Sequence, residues 1–495
     1  MKKLLVLACC WCGSLFAQSG DAGILLKRLE GFDTVVTGVM RDWKLAGLSI
    51  GVVYKNQVLY AKGFGYRDIE KQLRVTPHTV FHIASCTKAF TAMLVGLAAE
   101  DKLIDINKPV HDYFPQLEFY TPLLTSLITA KDMMTHRTGL PRHDWATHAK
   151  TPLPMDTVIR RIRYLEPGKG IREEIQYTNL MYVALGELTH KLTGRTWSQQ
   201  LQERIFDPLE MKESSTGFAD LPLHTEYSKG YFVRGDSLVA GGISKEGANA
   251  AGSINSSVID IGQWLICWIN GGRYKNKQVL PALFARQASA PQMSAPSRPQ
   301  PSLPAYPDVF FGDMGYGWVI DSYRGHYHVQ HSGDLPLYSS NVAFFPTDSI
   351  GIVVLVNKFD ATVPELISSL LADRLLALPY KNWSGLLLDL QAKRSAGNAS
   401  KPVTASPVPQ SHRPQEYTGL YRHPGYGTIL VTLEQGKLVA AHNEQPFSFV
   451  PDGADNFKAN VPGGKLRAIL KEGKVVALAG SFEAGIAEII FNRVP

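Results

Sequence analysis

Short alternating apolar runs occur at two widely separated places in this chain, and helical periodicity fills much of the distance between them. Leu48 to Gly65 reads as two strands, LSIGVVY and VLYAKGFG, joined by a tight turn at or near Lys55-Asn56-Gln57. Strands return at YGWVIDSY, HYHVQHS, SNVAFFP and GIVVLVN, and PELISSLLADRLLAL fits a closing helix. From about residue 105 to about residue 275 the pattern is helices and loops, clearest in YVALGELTHKLTG and VIDIGQWLICWI. Strands at both ends of a region with helices between them imply a sheet closed by its own termini. The expected fold class is therefore α/β of the α+β kind: an antiparallel sheet flanked by helices, plus a helical region.

With 495 residues, 45% hydrophobic and 19% charged, the chain is long enough to bury more than one core. The net charge of +7 is spread among residues of both signs, without a long basic run interleaved with aromatics, which argues against a nucleic-acid partner. Met1-Lys2-Lys3, the apolar stretch Leu4 to Phe16 and the small residue Ala17 read as a secretory signal peptide over residues 1–17. The expected location is periplasmic or secreted. Leu7-Ala8-Cys9 also resembles a lipobox, which leaves lipoprotein anchoring through Cys9 open, although only about five apolar residues would precede it, against the roughly seven a signal needs. No other stretch is long enough to cross a bilayer as a helix. Of the five cysteines, Cys9, Cys10 and Cys12 leave with the signal, so Cys86 and Cys267 remain and no disulfide framework is expected.

Residues 20–385 are expected to form the main domain. Within them residues 281–307 are rich in proline and read as an extended surface loop, either a lid or a passive insertion. Residues 386–414, which end in AKRSAGNASKPVTASPVPQSHRP, read as a linker. Residues 415–495 alternate in short segments, with turn signals at Glu434-Gln435-Gly436 and Glu472-Gly473, and predict a separate small all-β barrel.

The chemistry concentrates at Ser85-Cys86-Thr87-Lys88, at the start of an expected amphipathic helix. A hydroxyl and an amine three residues apart on a helix share one face. A serine hydroxyl becomes a nucleophile when a base takes its proton, and a desolvated lysine can be that base. Spacings of this kind also arise by chance, so the motif needs company. Tyr177-Thr178-Asn179 and His331-Ser332-Gly333 follow at separations that only a tertiary fold could close.

On these residues the chain resembles the class C β-lactamase-like family, with its penicillin-binding D-Ala-D-Ala carboxypeptidases, D-aminopeptidases and esterases. KDMMTHRTGLPRHD, YLEPGKGIREEIQYTNLMYVALGELTHKLTGRTW, IFDPLEMKESST and HSGDLPLYSSNVAFFPTDSIGIVVLVN each look like a family segment. The resemblance implies a β-lactamase/transpeptidase-like fold with Ser85 as nucleophile and Lys88 and Tyr177 as a proton-relay pair. It also implies substrate contacts from Asn179, His331, Ser332 and Gly333, and an oxyanion hole formed by the backbone N–H groups of Ser85 and Asp334. No cofactor and no metal are implied. The C-terminal segment is similar to the β domain, often lipocalin-like, that many of these hydrolases carry.

Neither a lysine near pKa 10.4 nor a tyrosine near 10 is a useful base at neutral pH, but a lysine ammonium beside a phenol favours the phenolate, and burial disfavours an isolated ammonium. The pair titrates as a unit. Three departures from the family pattern matter. His331 stands where lactamases usually have lysine, so a free substrate carboxylate loses a fixed counter-charge and amidase or esterase chemistry gains. Pro336-Leu337-Tyr338 replaces a Pro-Gly-Phe, and leucine enters the positive-φ region less easily than glycine, so the loop is expected to differ. Cys86 beside the nucleophile is expected to be a small buried packing residue. His136, His143, Asp144 and His148 lack the spacing of a metal site.

The expected function is an exported serine hydrolase acting through an acyl-enzyme on a small molecule or peptide: a β-lactam, a D-amino-acid peptide or an ester. The alternative is a non-hydrolytic penicillin-binding envelope sensor that is acylated without turnover. Oligomeric state is not legible.

Overall fold

A computed structural model describes residues 20–242, 249–295, 309–398 and 410–495. They fall into two compact units. One takes the chain before residue 98, residues 198–291 and the stretch ending at residue 394; the other takes residues 98–197 and the C-terminal part.

The first unit is built on an antiparallel sheet with strands β1 (Gly47–Tyr54), β2 (Gln57–Asp68), β3 (Leu73–Arg74), β4 (Val309–Met314), β5 (Val319–Tyr323), β6 (His326–Leu335), β7 (Tyr338–Phe345) and β8 (Ile350–Val356), in the order β4-β5-β6-β7-β8-β1-β2-β3. The pairing of β1 with β8, Leu48 opposite Val356 through Tyr54 opposite Ile350, joins the two ends of the unit as the strand pattern implies.

Both faces of the central strands are covered, which is why GIVVLV reads as an unbroken apolar run rather than an alternating one. On one face Leu48, Ile50, Val52, Ile352 and Val354 pack with Phe32 and Val36 of helix Phe32–Asp42 and with Val363, Leu366 and Ile367 of helix Thr362–Leu375. Each such side chain contributes about 1.5–3 kcal/mol when fully buried. On the other face helix Val258–Ile269 lies so close that a Cβ at Gly51 would come within 3.2 Å of Val258. Trp264 on that helix stacks on Phe90 of helix Thr87–Glu100 at 3.8 Å and on Trp318 at 5.2 Å.

In the second unit helix Asn179–Thr193 packs on the short helix Ala130–Met134, and Tyr182 Oη donates to Met134 O at 2.6 Å. The C-terminal strands are β9 (Gly419–His423), β10 (Gly427–Glu434), β11 (Lys437–His442), β12 (Gln445–Phe447), β13 (Phe449–Pro451), β14 (Asn456–Ala459), β15 (Lys465–Lys471), β16 (Lys474–Gly480) and β17 (Ile489–Arg493). They form one nearly closed, barrel-like sheet in the order β12-β11-β10-β9-β17-β16-β15-β14-β13. Its centre is filled by buried rings, with Phe449 stacked on Phe457 at 4.1 Å and Phe482 beside Tyr426 and Phe491 at 5.6 Å.

Three expectations change. The helix after Ser85 starts at Thr87, because Ala84–Cys86 form a separate 3-10 turn. The proline-rich stretch opens with a helix, Ala282–Ala288, and its residues 296–307 lie outside the described residues. Helix Trp383–Asn398 runs through the first part of the expected linker, and residues 399–409 lie outside the described residues, as does the expected signal peptide with Cys9. Among the described residues no helix is long and apolar enough to cross a membrane. Cys86 and Cys267 are both buried free thiols.

Candidate active site

Ser85 sits on a sharp turn set by its neighbours rather than by its own type. Ala84 has φ +48°, a left-handed conformation that costs a non-glycine residue about 1–3 kcal/mol and persists only where the surroundings hold it. Here Ile83 N donates to Ile254 O at 3.0 Å, and Ser340 Oγ donates to Ile83 O at 2.8 Å. Three residues on, Lys88 is fully buried, with Nζ 3.0 Å from Ser85 Oγ and 2.8 Å from Ala251 O. Thr91 Oγ1 donates to Ala250 O at 2.7 Å, so the helix and the segment Ala250–Ile254 are bound together beneath the lysine.

Strand β6 closes against this turn. A Cβ on Gly333 would fall 2.3 Å from Ile83 O and 2.9 Å from Ser85 N, so only glycine lets the strand approach the Ser85 N–H. Cys86 Sγ donates to His331 O at 3.1 Å and lies 3.3 Å from Ser340 Oγ. Burial pushes the Cys86 thiol up to about 12, which fits the small buried packing residue expected.

His331 is 4% exposed, and its Nδ1 lies 2.6 Å from Ser332 O. Burial, aided by the charge of Lys88, brings its pKa down to about 4, well below the ordinary histidine value. The imidazole is therefore neutral throughout the neutral range, which extends the sequence expectation. Ser332 alternates with His331 and Gly333 along β6 and faces the other way, where its hydroxyl favours the ionised form of Glu365 on helix Thr362–Leu375, so any contact of Ser332 with a substrate runs through its main chain. Asp334 follows Gly333 at the exposed end of β6, and its Oδ1 accepts from Ser339 Oγ at 2.6 Å.

The loop after β6 corrects one expectation. Leu337 does take a positive φ, +80°, despite being leucine. Gly230 and Gly241 make room for it, since a Cβ on either would meet the Leu337 side chain at 2.4 and 2.3 Å.

Tyr177 and Asn179 belong to the second unit. The Tyr177 ring lies 4.3 Å from the His136 ring, and the Arg142 guanidinium is 5.5 Å from its centroid. Thr178 N donates to His136 Nδ1 at 3.2 Å, and Thr178 Oγ1 donates to Arg142 O at 3.2 Å. Asn179 Nδ2 donates to Asp144 Oδ1 at 3.2 Å, while Asp144 Oδ2 accepts from Arg142 Nε at 2.7 Å. Behind them the buried Asp132 receives Arg137 Nε at 2.6 Å and Arg172 Nη2 at 2.7 Å, and these guanidinium groups hold its carboxyl below the ordinary carboxylate range. Asp132 lies inside the segment quoted for the resemblance, but sequence reasoning gave it no role, and no short-range pattern marks its two arginine partners. Among the described residues no group of three or more His, Cys, Asp or Glu side chains is arranged to hold a metal.

The beta-lactamase family model matches residues 32–375. An unguisins hydrolase, ungD of Aspergillus violaceofuscus, is 26% identical over 472 residues, which are 84% of this chain and 79% of that protein. Protein flp of Staphylococcus aureus (strain MW2) is 26% identical over 346 residues, 68% of this chain and 65% of that protein. Among solved structures, an octameric penicillin-binding protein homologue from Pyrococcus abyssi aligns with a TM-score of 0.61 at 22% identity, over 93% of this chain and 99% of that one. A penicillin binding protein from Bacillus halodurans aligns at 0.54 and 18% identity, over 69% of this chain and 97% of that one. By this match over most of its length, and with a serine-hydrolase-like fold, the chain belongs to the beta-lactamase family.

Proposed function

We propose that this protein is an exported serine hydrolase that cleaves amide, peptide or ester bonds through an acyl-enzyme on Ser85. The observation that carries the reading is the 3.0 Å separation of Lys88 Nζ and Ser85 Oγ, in a turn that also presents the Ser85 N–H beside Gly333. Ser85 Oγ attacks the carbonyl carbon while its proton passes to the Lys88–Tyr177 pair, and the N–H groups of Ser85 and Asp334 receive the oxyanion. Collapse breaks the C–N or C–O bond, and the stored proton leaves with the amine or alcohol. Water then gives a proton to the same pair and splits the acyl ester, which restores the serine hydroxyl.

The similarity to an Aspergillus unguisins hydrolase supports hydrolysis, and the similarity to a penicillin-binding protein homologue and a penicillin binding protein of solved structure supports a test with penicillins. A neutral His331 supports substrates that present no free carboxylate to β6. The basic, apolar leader supports export to the periplasm or beyond. The test is intact-protein mass spectrometry of the chain from Gln18 onward with a penicillin and with a D-amino-acid ester, beside Ser85→Ala and Lys88→Met. A covalent mass gain at Ser85 is expected, absent in Ser85→Ala and formed about 10²–10⁴ times more slowly in Lys88→Met. An unchanged adduct in Ser85→Ala would reject the nucleophile. An adduct that persists without product would favour the non-hydrolytic sensor.

A further inference from the structure

His143 has φ +48° and ψ +30°, a left-handed conformation that histidine adopts at a cost, and it is 1% exposed. It stands between the two residues that hold the second motif, Arg142 through its carbonyl to Thr178 and Asp144 through its carboxylate to Asn179. The groups that fix His143 come from far along the chain. Its Nδ1 meets Tyr426 Oη at 2.7 Å, 283 residues away, and its Nε2 meets Glu166 O at 2.9 Å. The His143 main-chain N–H favours the ionised form of Glu483, in the turn between β16 and β17.

The same surface continues along the segment. Trp145 lies 5.0 Å from His442 and 5.6 Å from Phe482, ring to ring. Asn443 Nδ2 donates to His148 O at 2.8 Å, and Lys150 N donates to Asn443 O at 3.1 Å. A strained residue is thus held by a side chain of an otherwise ring-filled sheet, Tyr426, with the Glu483 carboxyl interacting with its main chain.

We propose that the C-terminal sheet is a positioning element for the reaction: Tyr426 and Glu483 clamp His143 in its left-handed conformation, and the clamped segment Arg142–Asp144 sets Thr178 and Asn179. The proposal rests on the reading of Asn179 as a substrate contact. Tyr426 and Glu483 do not touch the reacting atoms; they act through His143. A loosened clamp would leave the Ser85–Lys88 pair as it is and misplace the residue that receives the acyl-side amide.

The experiment uses the full chain with Tyr426→Phe, which keeps the ring and removes one hydroxyl, and Glu483→Gln, separately and combined. Hydrogen–deuterium exchange of peptides covering residues 142–145 and 176–181 should rise about tenfold or more in the double variant, with residues 85–97 unchanged. Acylation by an amide-bearing penicillin should slow about tenfold or more. Phosphonylation of Ser85 by a small fluorophosphonate, which has no amide for Asn179, should stay within about threefold. A merely structural role would change both reagents together or neither. Exchange at 176–181 that matches the wild type in folded variants overturns the proposal whether or not penicillin reacts. A wild type that reacts with neither reagent overturns the active-site reading instead and leaves the exchange result to decide the clamp. If the double variant fails to fold, the Tyr426→Phe single variant decides by the same readouts.

Discussion

The Cys86 thiol donates to the main-chain oxygen of His331 at 3.1 Å, so the turn that carries Ser85 and the start of His331-Ser332-Gly333 are fastened by a buried packing side chain. Burial keeps this thiol protonated, up to about 12, and Cys267 is pushed equally high. A disulfide reagent at pH 8 should therefore label neither residue in the folded protein and both after denaturation. Cys86→Ala should cost about 1–2 kcal/mol by losing a buried contact and leaving His331 O and Ser340 Oγ a partner short. Rapid labelling of Cys86 in the native state would refute this account.

Gly333→Ala asks for a Cβ 2.3 Å from Ile83 O and 2.9 Å from Ser85 N, both main-chain atoms without a rotamer to yield. Strand β6 or the turn has to move, and with it the proposed oxyanion donors. Acylation of Ser85 should fall about 10²-fold or more, the scale of losing one such donor. Gly312, on the edge strand β4, has nothing within 4 Å of its Cβ position and serves as the control site. Near-normal acylation in Gly333→Ala would separate β6 from the reaction.

His331 makes a prediction about pH. Its folded pKa, about 4, lies below the ordinary histidine value, so the unfolded chain binds more protons between the two. Stability therefore rises with pH across that window and falls on acidification from about 6.5 to about 4, by roughly 3 kcal/mol for this residue. His82, His143 and His442 are each brought down to about 4 by burial and act in the same direction. Melting temperature should drop more steeply in the wild type than in His331→Asn as pH falls through this range. The His331 ring protons should not titrate between pH 5.5 and 8; an NMR midpoint inside that interval would contradict the neutral reading.

Much of this architecture was legible in the chain because period-two runs and turn residues are local signals. The hairpin of β1 and β2 and the four strands β5 to β8 lie where alternation puts them, and residues 419–493 form the all-β sheet that the alternating C-terminal segment predicts. What was not legible depends on distant partners. Alanine at position 84 does not suggest a left-handed turn; Ile254 and Ser340 hold it there. Leucine at 337 argues against a positive φ, until Gly230 and Gly241 are seen to admit it. Helix Trp383–Asn398 was hidden by composition, since its later turns carry the Ala, Ser, Gly and Lys of an apparent linker. The closeness of Lys88 and Gly333 to Ser85 follows the motif spacing, whereas Tyr426 and Glu483 carry no motif and gain their proposed role from one strained histidine.

Glu365 lies on the opposite face of β6 from Ser85, beside a cavity of about 50 Å³ lined also by Asp321, His328, Gln330, Asn341 and Ser368. That volume has room for about three waters. Burial raises its pKa to about 7, Asp321 and Asp334 add to the rise, and the Ser332 hydroxyl and His328 oppose it. A folded pKa above the ordinary glutamate value means that the native state binds the extra proton. The protonated carboxyl is accommodated in full below about 4.5, and stability is lost as pH rises through about 7. Glutamine keeps the shape and never ionises. Glu365→Gln should therefore match the wild type near pH 4.5 and exceed it by about 2–3 kcal/mol at pH 8, measured as the pH dependence of the difference in unfolding free energy. Because Ser332 lies between His331 and Gly333, the wild type should also show a change in Ser85 acylation rate near pH 7 that the variant lacks. A stability difference that stays constant from pH 4.5 to 8 would show that Glu365 is already ionised in the fold, and the carboxyl behind the third motif would then be an ordinary one.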